Sequence, residues 1–332
     1  MAGVFLGTLF FLALIWAGCS YEPRGKTAQE GGFCIENYDS SLHPHVYHYV
    51  EHPRRIIALW QTSFETLLML GAGDRIVAAG GLWGLDTLAP ENVPLYEKIP
   101  LHSDRPPDVE TMLTLQPDLI VGWLFDFTRQ SNGVGRSDFW EKRGTNVYMT
   151  TMNIAEFKDV HTLEDELRLI RDLGTIVDRE ERAAEIEQEI RDEMTPVTGR
   201  KPPRVLVVSS VARQLSIYTP RTLAGDLLEK LGAEVLGADR QMVGEDEFIS
   251  YEQLLMLDPD VIFVQSASPR DQGPRERLLA NPALHRLRAV REGHIYSVPF
   301  YLIRCPGVRV LDGIRCFKRG LQEAASSEGG AA

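Results

Sequence analysis

The sequence predicts an α/β protein of two lobes, each built on a mainly parallel sheet, joined by one long helix. Three observations carry that expectation. A pattern occurs twice, as Glu110–Gly122 and Glu252–Val264: a leading Glu, paired leucines (Leu113 and Leu115; Leu255 and Leu257), Pro-Asp, then an apolar run. The copies start at 110 and 252, a separation far beyond any solenoid period, which points to two similar lobes. An amphipathic segment near 178–195 lies between them, and a length of 332 residues suffices for two domains.

Each copy has a physical reading. The Glu opens a short helix, where the positive end of the helix dipole favours a carboxylate. Pro117 and Pro259 end that helix, because proline restricts the residue before it. Leu119-Ile120-Val121 and Val261-Ile262-Phe263-Val264 are short, branched and apolar, as strands buried on both faces of a parallel sheet are.

The composition, 44% hydrophobic and 25% charged, is that of a folded globular chain. A formal charge of −12 argues against nucleic acid as a partner, since phosphate binding needs basic patches. An acidic small ligand stays open, for it needs only a local group of arginines.

At the N-terminus an apolar run, Val4 to Ala17, leads into Ala17-Gly18-Cys19-Ser20. It is short for a membrane span and suits the core of a signal peptide, residues 1–18. The small-small-Cys ending has the look of a lipoprotein signal, with Cys19 cleaved to the new N-terminus and acylated. Residues 19–33 read as a polar tether. Cys34, Cys305 and Cys316 then remain, enough for at most one intramolecular disulfide whose pairing the sequence leaves open.

The expected domains are an N-terminal lobe over 34–175, an inter-lobe helix over 176–197, a C-terminal lobe over 198–322 and a disordered tail over 323–332. In the first lobe, alternation around Val46, His48 and Val50 suggests an edge strand. Its neighbours His43, His45 and His52 raise a zinc hypothesis, weighed against a solvated strand before the core. Core strands are expected at Arg55–Trp60, Arg75–Ala79, Leu119–Val121 and Asn146–Met149. Thr62 or Ser63 is expected to cap a helix from Glu65 to Leu70 that Gly71 ends. Two helices follow: one from Thr162 that stops at Gly174, and one with Asp178 and Glu181 as a capping-box-like start and Ala183, Ile186, Ile190 and Met194 as its apolar stripe. The second lobe repeats the scheme with strands at Arg204–Val208, Val261–Val264 and His294–Val298, and helices at Thr222–Leu231 and Leu311–Leu321.

In open parallel sheets ligands sit beyond the carboxyl ends of the strands. Trp60, Trp83 and Trp123 each follow a first-lobe strand, and three indoles at one rim are hard to ascribe to core filling. Phe125, Phe127 and Arg129 extend the same region. The second lobe offers Ser209, Arg213, Tyr218, Gln265, Ser266, Phe300, Tyr301 and Arg304. Aromatic faces with a few arginines suit a bulky, flat or partly anionic ligand. Gly71-Ala72-Gly73-Asp74-Arg75-Ile76 fails the dinucleotide fingerprint at its last position, and neither P-loop, HExxH nor GxSxG occurs, which favours a binder over an enzyme.

Pro53-Arg54-Arg55-Ile56-Ile57-Ala58-Leu59, the run Glu65–Val77 and the Glu-x-x-Leu-x-Leu-x-Pro-Asp repeat resemble the class III solute-binding proteins of ABC importers, over about residues 46–321. The resemblance implies two Rossmann-like lobes, a shallow cleft between them and no cofactor or turnover. It implies a metal chelate as ligand (a ferric siderophore first, haem or cobalamin as alternatives) and a monomer held outside the cytoplasm by its lipid. It also implies a permease dimer with its ATPase as partner, docked through one glutamate per lobe; by motif position these are Glu110 and Glu252. The ligand-binding expectation covers Trp60, Trp83, Trp123, Phe125, Arg129, Arg213, Tyr218, Tyr301 and Arg304. A competing class, a two-lobed enzyme such as a metal chelatase or glycosyl-transfer enzyme, would need a titrating pair such as Asp126 with Asp138 or Asp246 with Glu247. A third reading is a signalling or scaffold lipoprotein without a ligand.

Overall fold

A computed structural model describes residues 32–128, 133–150, 160–197, 199, 201–237 and 247–329. The signal segment, Cys19, Arg129 and Asp246 lie outside the described residues. The chain opens with a hairpin absent from the sequence expectation on its first side: β1 (Phe33–Tyr38) pairs antiparallel with β2 (Pro44–Tyr49). Then come β3 (Ile56–Leu59), α1 (Trp60–Met69), β4 (Ile76–Gly80), α2 (Val93–Tyr96), β5 (Leu101–Ser103), α3 (Val109–Leu115), β6 (Leu119–Trp123), α4 (Leu124–Thr128), α5 (Ser137–Glu141) and β7 (Asn146–Thr150). Their sheet has the order β5-β4-β3-β6-β7 with every pairing parallel.

After α6 (Leu163–Ile176) and α7 (Glu180–Glu193), the second lobe holds β8 (Arg204–Val211), β9 (Leu215–Tyr218), α8 (Leu223–Lys230), β10 (Glu234–Val235), β11 (Glu247–Ile249), α9 (Tyr251–Leu257), β12 (Val261–Ser266), α10 (Gly273–Leu279), α11 (Arg288–Arg291), β13 (Ile295–Pro299) and α12 (Val310–Gly329). Its sheet runs β11-β9-β8-β12-β13 with β10 beside β8; β9 is antiparallel to both β8 and β11. The terminal helix carries on to Gly329, inside the region expected to be a disordered tail, with Ala324 still buried and residues 330–332 outside the described residues.

The repeat proves to be structural in detail. Asp108 and Ser250 cap α3 and α9 through their side chains, Glu110 and Glu252 are each the second helical residue, and Met112 and Leu254 are the buried anchors. Gln116 and Asp258, each before its proline, end the helices as expected, in the left-handed region (φ 47° and 39°). The Pro-Asp carboxylates then pin the starts of β3 and β8. Asp118 accepts the backbone N–H groups of Arg54 (2.8 Å) and Arg55 (2.9 Å), and Asp260 accepts that of Arg204 (2.8 Å).

The lobes are joined by a helical hairpin. α7 is the expected crossing helix, shorter than 176–197, and α6 runs beside it in the opposite sense. At its start the Leu163 N–H donates to Asp226 of the second lobe (2.8 Å); at its end the Ile176 carbonyl lies 3.1 Å from His52 Nδ1 of the first. α7 returns from Met69, whose carbonyl accepts from Arg182 (3.2 Å), to Lys318, whose ammonium meets Glu193 (2.8 Å). Gly174 does not stop α6. A Cβ there would lie 2.5 Å from the Ala183 Cβ, so the residue marks where the two helices touch. The expected cap at Asp178 is a turn residue at φ 56°; the capping box is at the start of α6, between Thr162 and Asp165. Ala183, Ile186 and Ile190 form the buried stripe as expected.

A single hydrophobic core runs from the first lobe through both helices to one face of the second sheet, through Val205, Val207, Val261 and Phe263. The alternate residues Leu206, Val208, Ile262 and Val264 face a second core under α9, α10 and α11. Period-two alternation thus ties one face of the second sheet to the other lobe. Such continuity resists a wide hinge motion, since packed interiors transmit strain.

Candidate functional site

The rim of the first sheet follows the strand order. Trp83 comes after β4, Trp60 directly after β3, and Trp123 is the last residue of β6. The strand expected over Arg55–Trp60 is one residue shorter at each end, and the helix starts at Trp60, with Leu59 as its N-cap and no side-chain cap. Thr62 and Ser63, expected as caps, are inside α1.

The three indoles are half-buried and in contact. Trp60 stacks on Trp123 with centroids 4.7 Å apart and planes at 15°, while Trp83 lies 6.4 Å from Trp60 and 5.9 Å from Trp123. Across the cleft Trp83 meets Phe300 edge-on at 4.6 Å and Tyr301 at 6.2 Å. Rings from both lobes therefore form one cluster, each pair contributing about 0.5–1.5 kcal/mol beyond its burial.

Two features fix Trp60. Its φ of 66° is unusual for a bulky residue, and its Nε1–H donates to both carboxylate oxygens of buried Asp126 (2.9 and 3.1 Å). Asp126 also accepts the Trp123 backbone N–H (2.8 Å). Gly81 (φ 92°) lies under the ring: a Cβ there would stand 2.5 Å from Trp60 Cε3, so only glycine lets the backbone pass.

Behind the rings the lobes are tied by polar contacts. Arg309 Nη1 donates to Glu65 (2.9 and 3.0 Å) and to the Thr87 carbonyl (3.0 Å), with its centre 5.6 Å from the Tyr301 ring. Glu65, fully buried on α1, also accepts from Gln61, Ala89 N–H and Asn92. Thr62 donates to the Cys305 carbonyl, and Glu166 of α6 accepts the Gly307 N–H (2.6 Å) while pairing with buried His161 (2.6 Å). Burial pushes the Tyr301 phenol up to about 12, with the Arg309 charge opposing and Glu65, Asp86 and Asp312 adding to the rise. The Cys305 thiol is pushed up to about 12 by burial as well.

Of the sequence candidates, Trp60, Trp83, Trp123 and Tyr301 are thus brought together, with Phe125 half-buried on adjacent α4. Arg213 is exposed in the β8–β9 turn and Arg304 is exposed after Phe300–Leu302. Tyr218 is corrected to a core residue. Because β9 is antiparallel, its last residue lies back along β8, opposite Val207, and its hydroxyl is bound to Gln265 (2.5 Å). Phe300, also a strand-end candidate, joins the cluster, whereas the Glu65–Arg309 pair escaped the sequence reading; its members are 244 residues apart and share no local motif.

The histidine arm forms the β1–β2 hairpin and its flank, where His45 pairs with Glu141 (2.8 Å) and His48 with the Cys34 sulfur (3.1 Å), away from the rings. Cys34 is exposed, Cys305 buried and Cys316 half-buried, and all three are unpaired. The carboxylates of the enzyme hypothesis serve separate partners: Asp126 holds the tryptophans, while exposed Asp138 on α5 binds Lys142 (3.0 Å) and Arg136 (3.3 Å), which hold it below the usual carboxylate range. Glu247 is buried on β11.

Glu110 and Glu252 are both exposed. Each helix leads into a strand at its amino end, so its own N-terminus lies toward the carboxyl ends of the strands, the side of the cleft.

Residues 56–302 match the family model described as periplasmic binding protein. An ABC transporter substrate-binding lipoprotein of Bacillus subtilis is 24% identical over 305 residues, 88% of each chain. A periplasmic binding protein from Veillonella parvula superposes with a TM-score of 0.77 at 28% identity, covering 88% of this chain and 92% of that one. An ABC-type Fe3+-hydroxamate transport protein from Saccharomonospora viridis has a TM-score of 0.68 at 20% identity, with 87% and 98% covered.

Proposed function

The chain belongs to the periplasmic binding protein family and is the substrate-binding component of an ABC importer; on that premise we propose that it captures a ferric siderophore between its lobes and hands it to the permease. The observation that carries this reading is the aromatic cluster of Trp60, Trp83 and Trp123 against Phe300 and Tyr301, which spans the cleft mouth. Aromatic faces at a cleft suit a bulky chelate whose iron is already coordinated and which binds through its organic shell. The ferric hydroxamate named for the Saccharomonospora neighbour belongs to that chemical class.

Haem or a cobalamin is the second reading. Haem gains from an iron-coordinating side chain, and Tyr301 is the described candidate at the rim. Tyr301 is buried, with its ring beside Trp83, Phe300 and the Arg309 guanidinium, which places haem behind a chelate whose iron needs no ligand from the protein.

In this reading the protein has no resident cofactor and turns nothing over. Cys19 carries the lipid that holds a monomer at the outer face of the membrane. Glu110 and Glu252, equivalent positions on equivalent helices, meet a two-fold permease assembly with its ATPase. Phe125, Arg129, Arg213 and Arg304 border the ligand. The test is equilibrium binding of ferric hydroxamate, hydroxycarboxylate and catecholate chelates, haem, cobalamin and Zn2+ to the mature chain. Binding of one ferric chelate at micromolar Kd or tighter supports the siderophore; binding of haem or cobalamin alone replaces it, and binding of Zn2+ alone sinks the chelate reading.

A further inference from the structure

The row of rings along the first sheet ends in a polar pair. Continuing the strand order from Trp83 through Trp60 to Trp123, the next tip is that of β7, whose last residue is Thr150. Trp123 and Thr150 are register partners on adjacent parallel strands, so their side chains leave the sheet on the same face. Trp123 Nε1 and Thr150 Oγ1 are both buried, and neither has a hydrogen-bond partner among the described residues. Thr150 itself is only 3% exposed.

Nearby polar groups of the row are already engaged: Asp126 takes the Trp60 indole N–H and the Trp123 backbone N–H. Buried polar groups are nearly always hydrogen-bonded, so two unmet groups on neighbouring strand tips at a ligand cleft call for an external partner. The indole N–H can only donate, whereas a threonine hydroxyl can donate or accept. Whatever meets both groups must therefore present an acceptor.

We propose that Trp123 Nε1 and Thr150 Oγ1 form a subsite that receives an acceptor oxygen on the periphery of the bound chelate, a hydroxamate or amide carbonyl or a carboxylate. The subsite rests on the siderophore reading and deepens it. The apolar rings hold the body of the chelate, and the polar pair at one end of the row sets which way it lies. Entry requires the half-buried rings to swing aside, and the binding energy then includes hydrogen bonds that the empty protein leaves unmade.

The test uses Thr150→Val, which keeps the shape and removes the hydroxyl, with Thr150→Ser as the conservative rescue. In the ligand-free mature chain, T150V leaves Tm unchanged or raises it, because no internal hydrogen bond is lost. A clear fall in Tm shows that the hydroxyl is already satisfied inside the protein and overturns the proposal. With a ferric trihydroxamate and a ferric citrate-type chelate as probes, T150V weakens whichever chelate the wild type binds by about tenfold, and T150S retains its affinity. The probe that loses affinity identifies the acceptor as hydroxamate or carboxylate. Equal binding by wild type and T150V defeats the subsite alone; a wild type that binds neither chelate defeats the subsite, and one that binds no ferric catecholate either defeats the siderophore reading with it.

Discussion

Arg309 Nη1 of the second lobe sits 2.9 and 3.0 Å from the two carboxylate oxygens of Glu65 in the first, and Glu65 is wholly buried. Glu65 lies one helical turn beyond Gln61, the neighbour of Trp60, and Arg309 passes the ring of Tyr301. The ion pair therefore lies directly behind the aromatic cleft and fixes the lobes that form it.

Breaking this pair from either side strands a buried charge. Glu65→Gln or Arg309→Met is expected to lower stability by about 3–5 kcal/mol, measured by urea unfolding. The loss exceeds that of an exposed pair such as Lys142–Asp138, whose attraction is screened by solvent.

Gly81→Ala tests the seat of Trp60. A methyl group at that position collides with the ring, and φ 92° disfavours any side chain. The variant is expected to lose more than about 1 kcal/mol of stability and to weaken chelate binding, seen as a raised Kd together with a changed Trp emission spectrum. An unchanged spectrum and Kd would show that the close approach does not position the ring.

How much of this was legible in the sequence depends on how local the causes are. Pro-Asp, the capped helices and the buried strands rest on neighbouring residues, and the repeat exposed them twice. β1, β9, β10 and β11 escaped because they are short or at a sheet edge, where apolar patterning is weak. Gly174 was read as a helix end because sequence cannot distinguish a stop from a helix–helix contact. The tryptophan rim was visible because parallel strands deliver their tips to one side. Thr150 was not, since a threonine at a strand end carries no signal until its hydroxyl is seen to lack a partner. Glu65 with Arg309 is purely tertiary.

Glu110→Ala with Glu252→Ala is expected to leave chelate Kd within about twofold of wild type while abolishing uptake in cells, since rim charges act on docking rate and salt dependence more than on raw affinity. Normal uptake by the double variant would refute the docking assignment.

Acid should loosen the junction of α7 with α12. Glu193 is held below its ordinary value of 4.5, chiefly by the Lys318 hydrogen bond (2.8 Å) and secondarily by Arg315. A depressed carboxylate contributes stability that is present above its unfolded value and disappears as pH falls through the lower folded value. Between pH 7 and pH 5 Tm should therefore owe little change to Glu193; below 4.5 the wild type should lose stability faster than Glu193→Gln. Parallel acid curves for the two proteins would exclude the contribution.

The central claim is that the inter-lobe tryptophans bind the chelate, and tryptophan fluorescence of the mature chain titrated with a ferric trihydroxamate tests it most directly. Saturable quenching at micromolar Kd or tighter, weakened at least tenfold in Trp83→Ala and unchanged in Trp140→Phe, is the predicted result. Trp140 is buried elsewhere, with its indole N–H bound to the Val134 carbonyl, and so serves as the internal control. Affinity that survives Trp83→Ala intact would contradict the account and move the ligand away from this cleft.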